Sequence, residues 1–279
     1  MLRLFFLLAK ALLFLAGARR RFIRSGPVRL AYYRLGPEKG EPWVLLHGLG
    51  ANAVSWYPVL RALKGECRLV VPELSMLGGT RGPRHGLGVA EASRVLADLI
   101  RRELGSRPVN LAGISLGGWI AVRLTLDRPD LVSRLLLIDA AGYRDQDWDE
   151  IERLIRVEDL AGVDRLYGAM FVRPPWLLRR TRPAFLQTFT SRAVRDILED
   201  LSEDDAYDDA DLARIQVPTG LIWGECDGLF TVATARAMTA ALPHASLEVL
   251  PGCAHALHIE SPRQLTAAIR RFRRAPTRR

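Results

Sequence analysis

Three side chains far apart in this chain could together perform nucleophilic catalysis: Ser115, Asp227 and His255. A serine hydroxyl attacks carbonyl carbon poorly until an imidazole takes its proton, and the imidazole needs a carboxylate to fix its tautomer. Ser115 is the centre of Gly113-Ile114-Ser115-Leu116-Gly117, which fits G-x-S-x-G, a tight strand-to-helix turn that lifts one serine above a sheet. The apolar run Val109-Asn110-Leu111-Ala112 precedes it and the helical pattern Trp119-Ile120-Ala121-Val122 follows. The middle residue of such a turn is strained, and bare flanking residues let strand and helix approach. Gly113 and Gly117 meet that need, and Gly118 is expected to add slack.

Asp227 and His255 each follow an apolar strand pattern, at 219–223 and 246–250, so both fall in the loop layer where parallel sheets bind ligands. Asp227 would orient His255, and His255 would take the proton of Ser115. Ser261-Pro262-Arg263-Gln264 predicts a capping box with proline at the first helical position, which would end the histidine loop. Asp139, ending the strand pattern 135–138, is a rival acid. For the oxyanion, the expected backbone donors are Leu116, directly after the serine, and Leu49, in the loop His47-Gly48-Leu49-Gly50. His47 reads as structural, and His85, His244 and His258 as surface or packing residues. No H-E-x-x-H or C-x-x-C spacing occurs, so neither a catalytic metal nor another cofactor is predicted.

The set His47-Gly48-Leu49-Gly50, Gly113-Ile114-Ser115-Leu116-Gly117, Gly224-Glu225-Cys226-Asp227 and His255-Ala256-Leu257-His258-Ile259-Glu260-Ser261-Pro262 resembles the α/β-hydrolase superfamily across residues 28–274. Within it the chain looks most like membrane-anchored monoacylglycerol lipases and related bacterial esterases. These share an N-terminal apolar helix and a cap segment like Phe171-Val172-Arg173-Pro174-Pro175. The resemblance implies a mostly parallel eight-stranded sheet flanked by helices, with a helical cap, and a small-molecule carboxylic ester as substrate. One departure concerns a pocket wall: relatives carry Asp-x-Pro-Gly after the strand 68–71, where this chain has Glu73-Leu74-Ser75-Met76.

The strand and helix alternation agrees. Strands are predicted at 28–34, 43–46, 69–71, 109–112, 135–138, 219–223 and 246–250, and a helix at 89–103. Between residues 143 and 213 strands give way to helical patterns at 149–156, 163–171 and 193–201, broken by prolines. This insertion would lie over the strand ends as a lid, and Tyr167, Met170, Phe171, Trp176, Leu177, Phe185 and Phe189 could line an acyl pocket. The domain plan is thus 1–24 as a membrane-associating helix with a basic flank, 25–142 plus 214–279 as core, and 143–213 as cap. The acidic run from Glu203 to Asp211 is expected to cap and solvate a connector.

The chain has 279 residues, 49% of them hydrophobic, enough for one domain of this class with a sizeable core. Its net charge is +9, yet the cap holds 17 acids and 10 bases, so the excess positive charge lies elsewhere. No nucleic-acid recognition motif accompanies it. An anionic membrane surface is the expected partner, because arginines cluster at 19–21 and 24 and at 270–279. A solvated tail is the other reading of the C-terminal cluster. The apolar segments 4–9 and 11–18, split by Lys10, suit an interfacial helix, which would leave the catalytic domain cytoplasmic. Export is the alternative, since Ala16-Gly17-Ala18 resembles a signal cleavage site. Among three cysteines, Cys67 is expected in the core. Cys226 and Cys253 read as two small buried thiols, with a disulfide between the two loops as the alternative.

Ester cleavage therefore competes with two other readings: hydrolysis of carbon–carbon bonds in ring-cleavage products by the same three residues, and ligand binding without catalysis.

Overall fold

The computed structural model describes residues 10–75, 78–105, 107–201 and 205–275. Eight strands form one sheet: β1 (Arg19–Ser25), β2 (Val28–Leu35), β3 (Glu41–Leu46), β4 (Cys67–Pro72), β5 (Val109–Ile114), β6 (Val132–Ile138), β7 (Thr219–Gly224) and β8 (Ala245–Leu250), in the order 1-2-4-3-5-6-7-8. β1 and β2 pair antiparallel, as do β2 and β4; every later pairing is parallel.

Central strands of a parallel sheet are covered on both faces, so their sequences read as unbroken apolar runs. Alternate residues still part company, because successive side chains point to opposite faces. On β3, Val44 and Leu46 join one core cluster while Trp43 and Leu45 join the other. On β6, Leu135 and Leu137 enter the first cluster, Leu136 and Ile138 the second. The first cluster is completed by helices α3 (Val89–Leu104), α4 (Leu116–Asp127) and α11 (Val232–Ala241). The second is completed by α2 (Tyr57–Leu63) and α13 (Pro262–Arg274).

The cap leaves the sheet after β6. Its two legs meet at a bridge between Tyr143 and Tyr207, where Tyr207 donates its N–H to Gly142 O at 2.9 Å. Five helices lie between: α5 (Trp148–Ile155), α6 (Leu160–Met170), α7 (Trp176–Arg180), α8 (Arg182–Phe189) and α9 (Arg192–Asp200). α7 and α8 occupy a stretch expected to be broken. Pro175 and Pro183 sit at or just inside helix starts, where the missing proline N–H costs nothing, so they begin helices instead of ending them. Of the acidic run, Glu203 and Asp204 lie outside the described residues, while Asp208 and Asp211 form a capping box opening α10 (Asp209–Ala213).

The N-terminal plan needs correcting. A helix is described over 10–15 (α1), and β1 begins at Arg19, so the boundary after residue 24 cuts through a strand. Arg19, Arg20, Arg21 and Arg24 belong to this edge strand, whose outward positions tolerate charge. Leu13 and Ala18 are buried in the second cluster, so part of the predicted anchor belongs to the core. Residues 4–9 of the proposed anchor lie outside the described residues. Among the described residues, no helix is long and apolar enough to cross a membrane. Three of the five arginines of α13 are engaged: Arg270 and Arg273 pair with Glu66, Arg271 with Glu248, and Arg273 also with Glu41.

Candidate active site

β5 ends at Ile114 and α4 starts at Leu116, leaving Ser115 alone in the turn with φ 55° and ψ −125°. A side chain in that left-handed region is held there by its surroundings. The Ser115 N–H donates to the carbonyls of Ile138 and Asp139, both at 3.1 Å, and its own carbonyl accepts from Ala141 N–H at 3.1 Å. The glycine requirement is steric. A Cβ on Gly113 would fall 2.1 Å from Gly117 O, and one on Gly117 would fall 2.5 Å from Leu46 O. Gly118 provides contact, not slack, since its Cβ would lie 2.4 Å from that of Ala140.

Past β7, Asp227 turns its carboxylate back over the strand ends. Its Oδ1 accepts the N–H of Leu229 at 2.8 Å and of Phe230 at 3.0 Å, and its Oδ2 accepts Nδ1–H of His255 at 2.9 Å. Both side chains are buried, and Phe230 meets the imidazole edge-on at 5.3 Å between centroids. A carboxylate with two further donors is a fixed acceptor, so it suits an imidazole protonated on Nδ1, which would leave Nε2 able to act as a base. The two loops are also stitched together: Cys226 N–H donates to Cys253 O at 2.8 Å, and Gly252 N–H to Glu225 Oε2 at 2.9 Å. All three cysteines are free; Cys67 and Cys253 are buried, but Cys226 is exposed, against the expectation of two buried thiols. Nor does the Ser261 hydroxyl cap α13. It accepts the Cys253 Sγ–H at 3.1 Å, while Pro262 does stand at the helix start.

The loop after β3 lies across the serine turn, where a Cβ on Gly48 would come 3.1 Å from Ser115 Cβ. The N–H groups of Leu49 and of Leu116 donate to no backbone acceptor among the described residues. Leu116 opens a helix, so its N–H also carries the positive end of the macrodipole. His47 is occupied structurally: Nδ1–H donates to Gly48 O at 2.9 Å and Nε2 accepts Leu74 N–H at 3.1 Å. Burial lowers its pKa to about 4, so the ring is neutral. His258 packs on Trp56 at 5.2 Å between centroids, and burial with His255 and His47 nearby lowers its pKa to about 3. His85 and His244 are exposed. Glu73, at the departure from Asp-x-Pro-Gly, turns inward and accepts Ala53 N–H at 3.1 Å, bracing the same loop. Gly78 makes room for it, since a Cβ there would strike its Oε2 at 1.9 Å.

The cap reaches down to the loops that carry Asp227 and His255, a feature not foreseen from the sequence. Gly228 N–H donates to Ala169 O at 3.0 Å, and Ala256 N–H to Met170 O at 3.1 Å. Glu260 spans the same joint, accepting Ala254 N–H at 3.0 Å on Oε2 and Arg173 N–H at 3.0 Å on Oε1. Its position in the run from His255 to Pro262 was the available signal. Tyr167, Phe171, Phe185 and Phe189 pack over the site with Leu49 and Ala256, whereas Trp176 is 70% exposed and lines nothing. Phe189 presses on Gly50, where a Cβ would lie 2.6 Å from its ring. Beneath the cap remains a cavity of about 10 Å³, bounded by His47, Gly48, Gly50, Leu116, Val194 and Ile197. That is room for about one water molecule. His85 N–H to Asp196 at 2.8 Å and an Arg84–Asp200 pair hold α9 in place. A larger cavity, about 230 Å³ beside Trp119 and Tyr207, contains none of these residues.

Known proteins place this arrangement. The model of the alpha/beta hydrolase family matches residues 43–269. Lipase 1 of Psychrobacter immobilis is 25% identical over 244 residues, covering 84% of this chain and 77% of its own. Human monoacylglycerol lipase ABHD6 is 24% identical over 274 residues, covering 91% and 81%. A Metapseudomonas resinovorans hydrolase of 2-hydroxy-6-oxo-6-(2'-aminophenyl)hexa-2,4-dienoic acid is 25% identical, covering 90% of each. Among solved structures, a membrane phospholipase A described as a bacterial virulence factor superposes with a TM-score of 0.84 at 25% identity, covering 98% of this chain and 92% of its own. With the matched model running from β3 into α13, the chain belongs to the alpha/beta hydrolase family.

Proposed function

We propose that this protein cleaves lipid-like carboxylic esters, of the monoacylglycerol or lysophospholipid kind, by a two-step acyl transfer through Ser115, His255 and Asp227. The protein is a carboxylic ester hydrolase, in keeping with its lipase and carboxylesterase relatives. The observation that carries the mechanism is the buried Asp227–His255 pair at 2.9 Å, set on loops at the same end of the sheet as the strained Ser115 turn. Ser115 Oγ attacks the ester carbonyl and its proton passes to His255 Nε2. The oxyanion settles between the N–H groups of Leu49 and Leu116. Collapse expels the alcohol, which leaves with the proton held by His255. Water then adds to the acyl-serine by the same route and frees the acid.

An apolar cap favours an acyl chain, and the aromatic group Tyr167, Phe185 and Phe189 is the surface such a chain would meet once the cap opens. The N-terminal face supports attachment to an anionic lipid surface, and the positive-inside rule would then leave the catalytic domain cytoplasmic. Leu15 is 82% exposed, Leu12, Phe14 and Phe22 are exposed as well, and Arg20 of β1 lies over the Phe22 ring. Cleavage of carbon–carbon bonds is the second reading, resting on the likeness to the Metapseudomonas enzyme. A series of p-nitrophenyl esters of rising chain length, with a monoacylglycerol and a ring-cleavage dienoate alongside, tests the choice. The expected result is turnover that peaks beyond short acyl chains. Turnover of the dienoate with every ester left intact overturns it.

A further inference from the structure

Asp139 makes no hydrogen bond to the His255 ring, yet its carboxyl is fully enclosed beside the Asp227–His255 pair. It follows β6 with φ 41°, its side chain is fully buried, and its backbone carbonyl receives the Ser115 N–H. Its Oδ1 accepts the Gly224 N–H at 2.8 Å, and its Oδ2 has no partner among the described residues. One oxygen of Asp139, one of Asp227 and one ring nitrogen of His255 all lie within 4.8 Å of one another.

Two ionised carboxylates this close, both shut away from water, oppose each other, and one of them takes up a proton. Asp227 has donors on both oxygens, which favours its charge. An ionised Asp139 would instead leave Oδ2 as a buried acceptor with nothing to accept. A protonated Oδ2 is a donor, and the neighbouring Asp227 carboxylate is an acceptor with lone pairs to spare.

We propose that Asp139 is held as a neutral carboxylic acid that donates a hydrogen bond to the Asp227 carboxylate, making it a positioning residue for the Asp227–His255 pair. Burial first, and then the charge of Asp227, push the Asp139 carboxyl well above the ordinary carboxylate range. The same residue thus steadies the serine turn through its backbone and the acid through its side chain. The inference rests on Asp227 being the catalytic acid.

The test uses the full chain with Asp139→Asn and Asp139→Val. Infrared difference spectra at neutral pH should contain the carbonyl stretch of a protonated carboxyl group, and Asp139→Asn should remove it. The asparagine amide is likewise neutral and able to donate, so the acidic limb of the pH profile of kcat/KM should stay in place. Asp139→Val lacks the donor, and should lower kcat about 10-fold to 100-fold and move that limb upward, since groups bonded to a charged form set its stability. If Asp139 were ionised, Asp139→Asn would leave the protonated-carboxyl band unchanged and would move the limb down by about one unit, as losing a nearby negative charge does. Either result overturns the proposal. Should Asp139→Val fail to fold by thermal melting, the spectrum and the asparagine profile still decide. A band that persists in an enzyme indifferent to Asp227→Asn would sink the catalytic reading and spare the proton assignment.

Discussion

Ser115 and Asp139 both carry left-handed φ angles, 55° and 41°, and the N–H of the first donates to the carbonyl of the second at 3.1 Å. They are the two non-glycine residues with positive φ among the described residues. Strain in the serine turn is therefore borne by the end of the neighbouring strand and not by the turn alone. Removing slack anywhere in this joint should be felt at once.

Gly117→Ala tests that. Its Cβ would lie 2.5 Å from the backbone oxygen of Leu46, which cannot swing aside as a side chain would. A loss of about 3 kcal/mol or more is expected by chemical denaturation, at the upper end of single-site effects. Gly65→Ala, where nothing lies within 4 Å, serves as the neutral control.

Glu260 is expected to matter to rate and little to substrate affinity. Its carboxylate is the shared acceptor for Ala254, next to His255, and for Arg173 in the cap. Glu260→Ala should reduce kcat by roughly 10-fold with KM within about 2-fold, because misplacing a base costs transition-state contacts. Glu260→Gln keeps one acceptor oxygen and should recover part of the loss. Steady-state kinetics on one ester would read both, and a change confined to KM would contradict the role.

Glu73 links stability to pH. Burial raises its pKa from 4.5 to about 7, against the opposing pull of the Ala53 N–H. The folded state therefore binds a proton that the unfolded state has released, and this contribution is lost as pH rises from about 4.5 to about 7. Glu73→Gln removes that dependence, so it should gain up to about 3 kcal/mol on the wild type across the interval. Denaturation at both ends of the interval checks the sign; a variant that loses ground as pH rises would refute it.

For the membrane, Leu12→Glu with Leu15→Glu changes two exposed apolar residues and should spare the fold. Sedimentation with anionic vesicles should fall by about 10-fold or more, since each apolar side chain buried in lipid is worth about 1.5–3 kcal/mol. Equal sedimentation of variant and wild type would rule out this face.

The central strands and the three candidate residues were legible because local signals coincide there. Apolar runs such as 43–46 and 135–138 are both buried and strand-forming, and each candidate stands just past such a run. β1 was hidden because Arg19, Arg20 and Arg21 lie on an edge, where charge is permitted and mimics a membrane flank. α7 and α8 were obscured by prolines, which mark a boundary without saying on which side the helix lies. Ser261 has a capping residue's type and place, but its hydroxyl accepts a thiol instead, a contact between separate elements that no local pattern encodes. Glu260 and Asp139 owe their surroundings to the same kind of distant pairing.

The most direct measurement is covalent labelling by a fluorophosphonate, located by mass spectrometry and followed beside ester hydrolysis. The wild type should gain one phosphonyl group, on Ser115. Ser115→Ala should lose both labelling and turnover, and Asp227→Asn should lower both by about 10⁴-fold, as removing the orienting acid typically does. Labelling and turnover that survive in Ser115→Ala, or full activity in Asp227→Asn, would contradict the account.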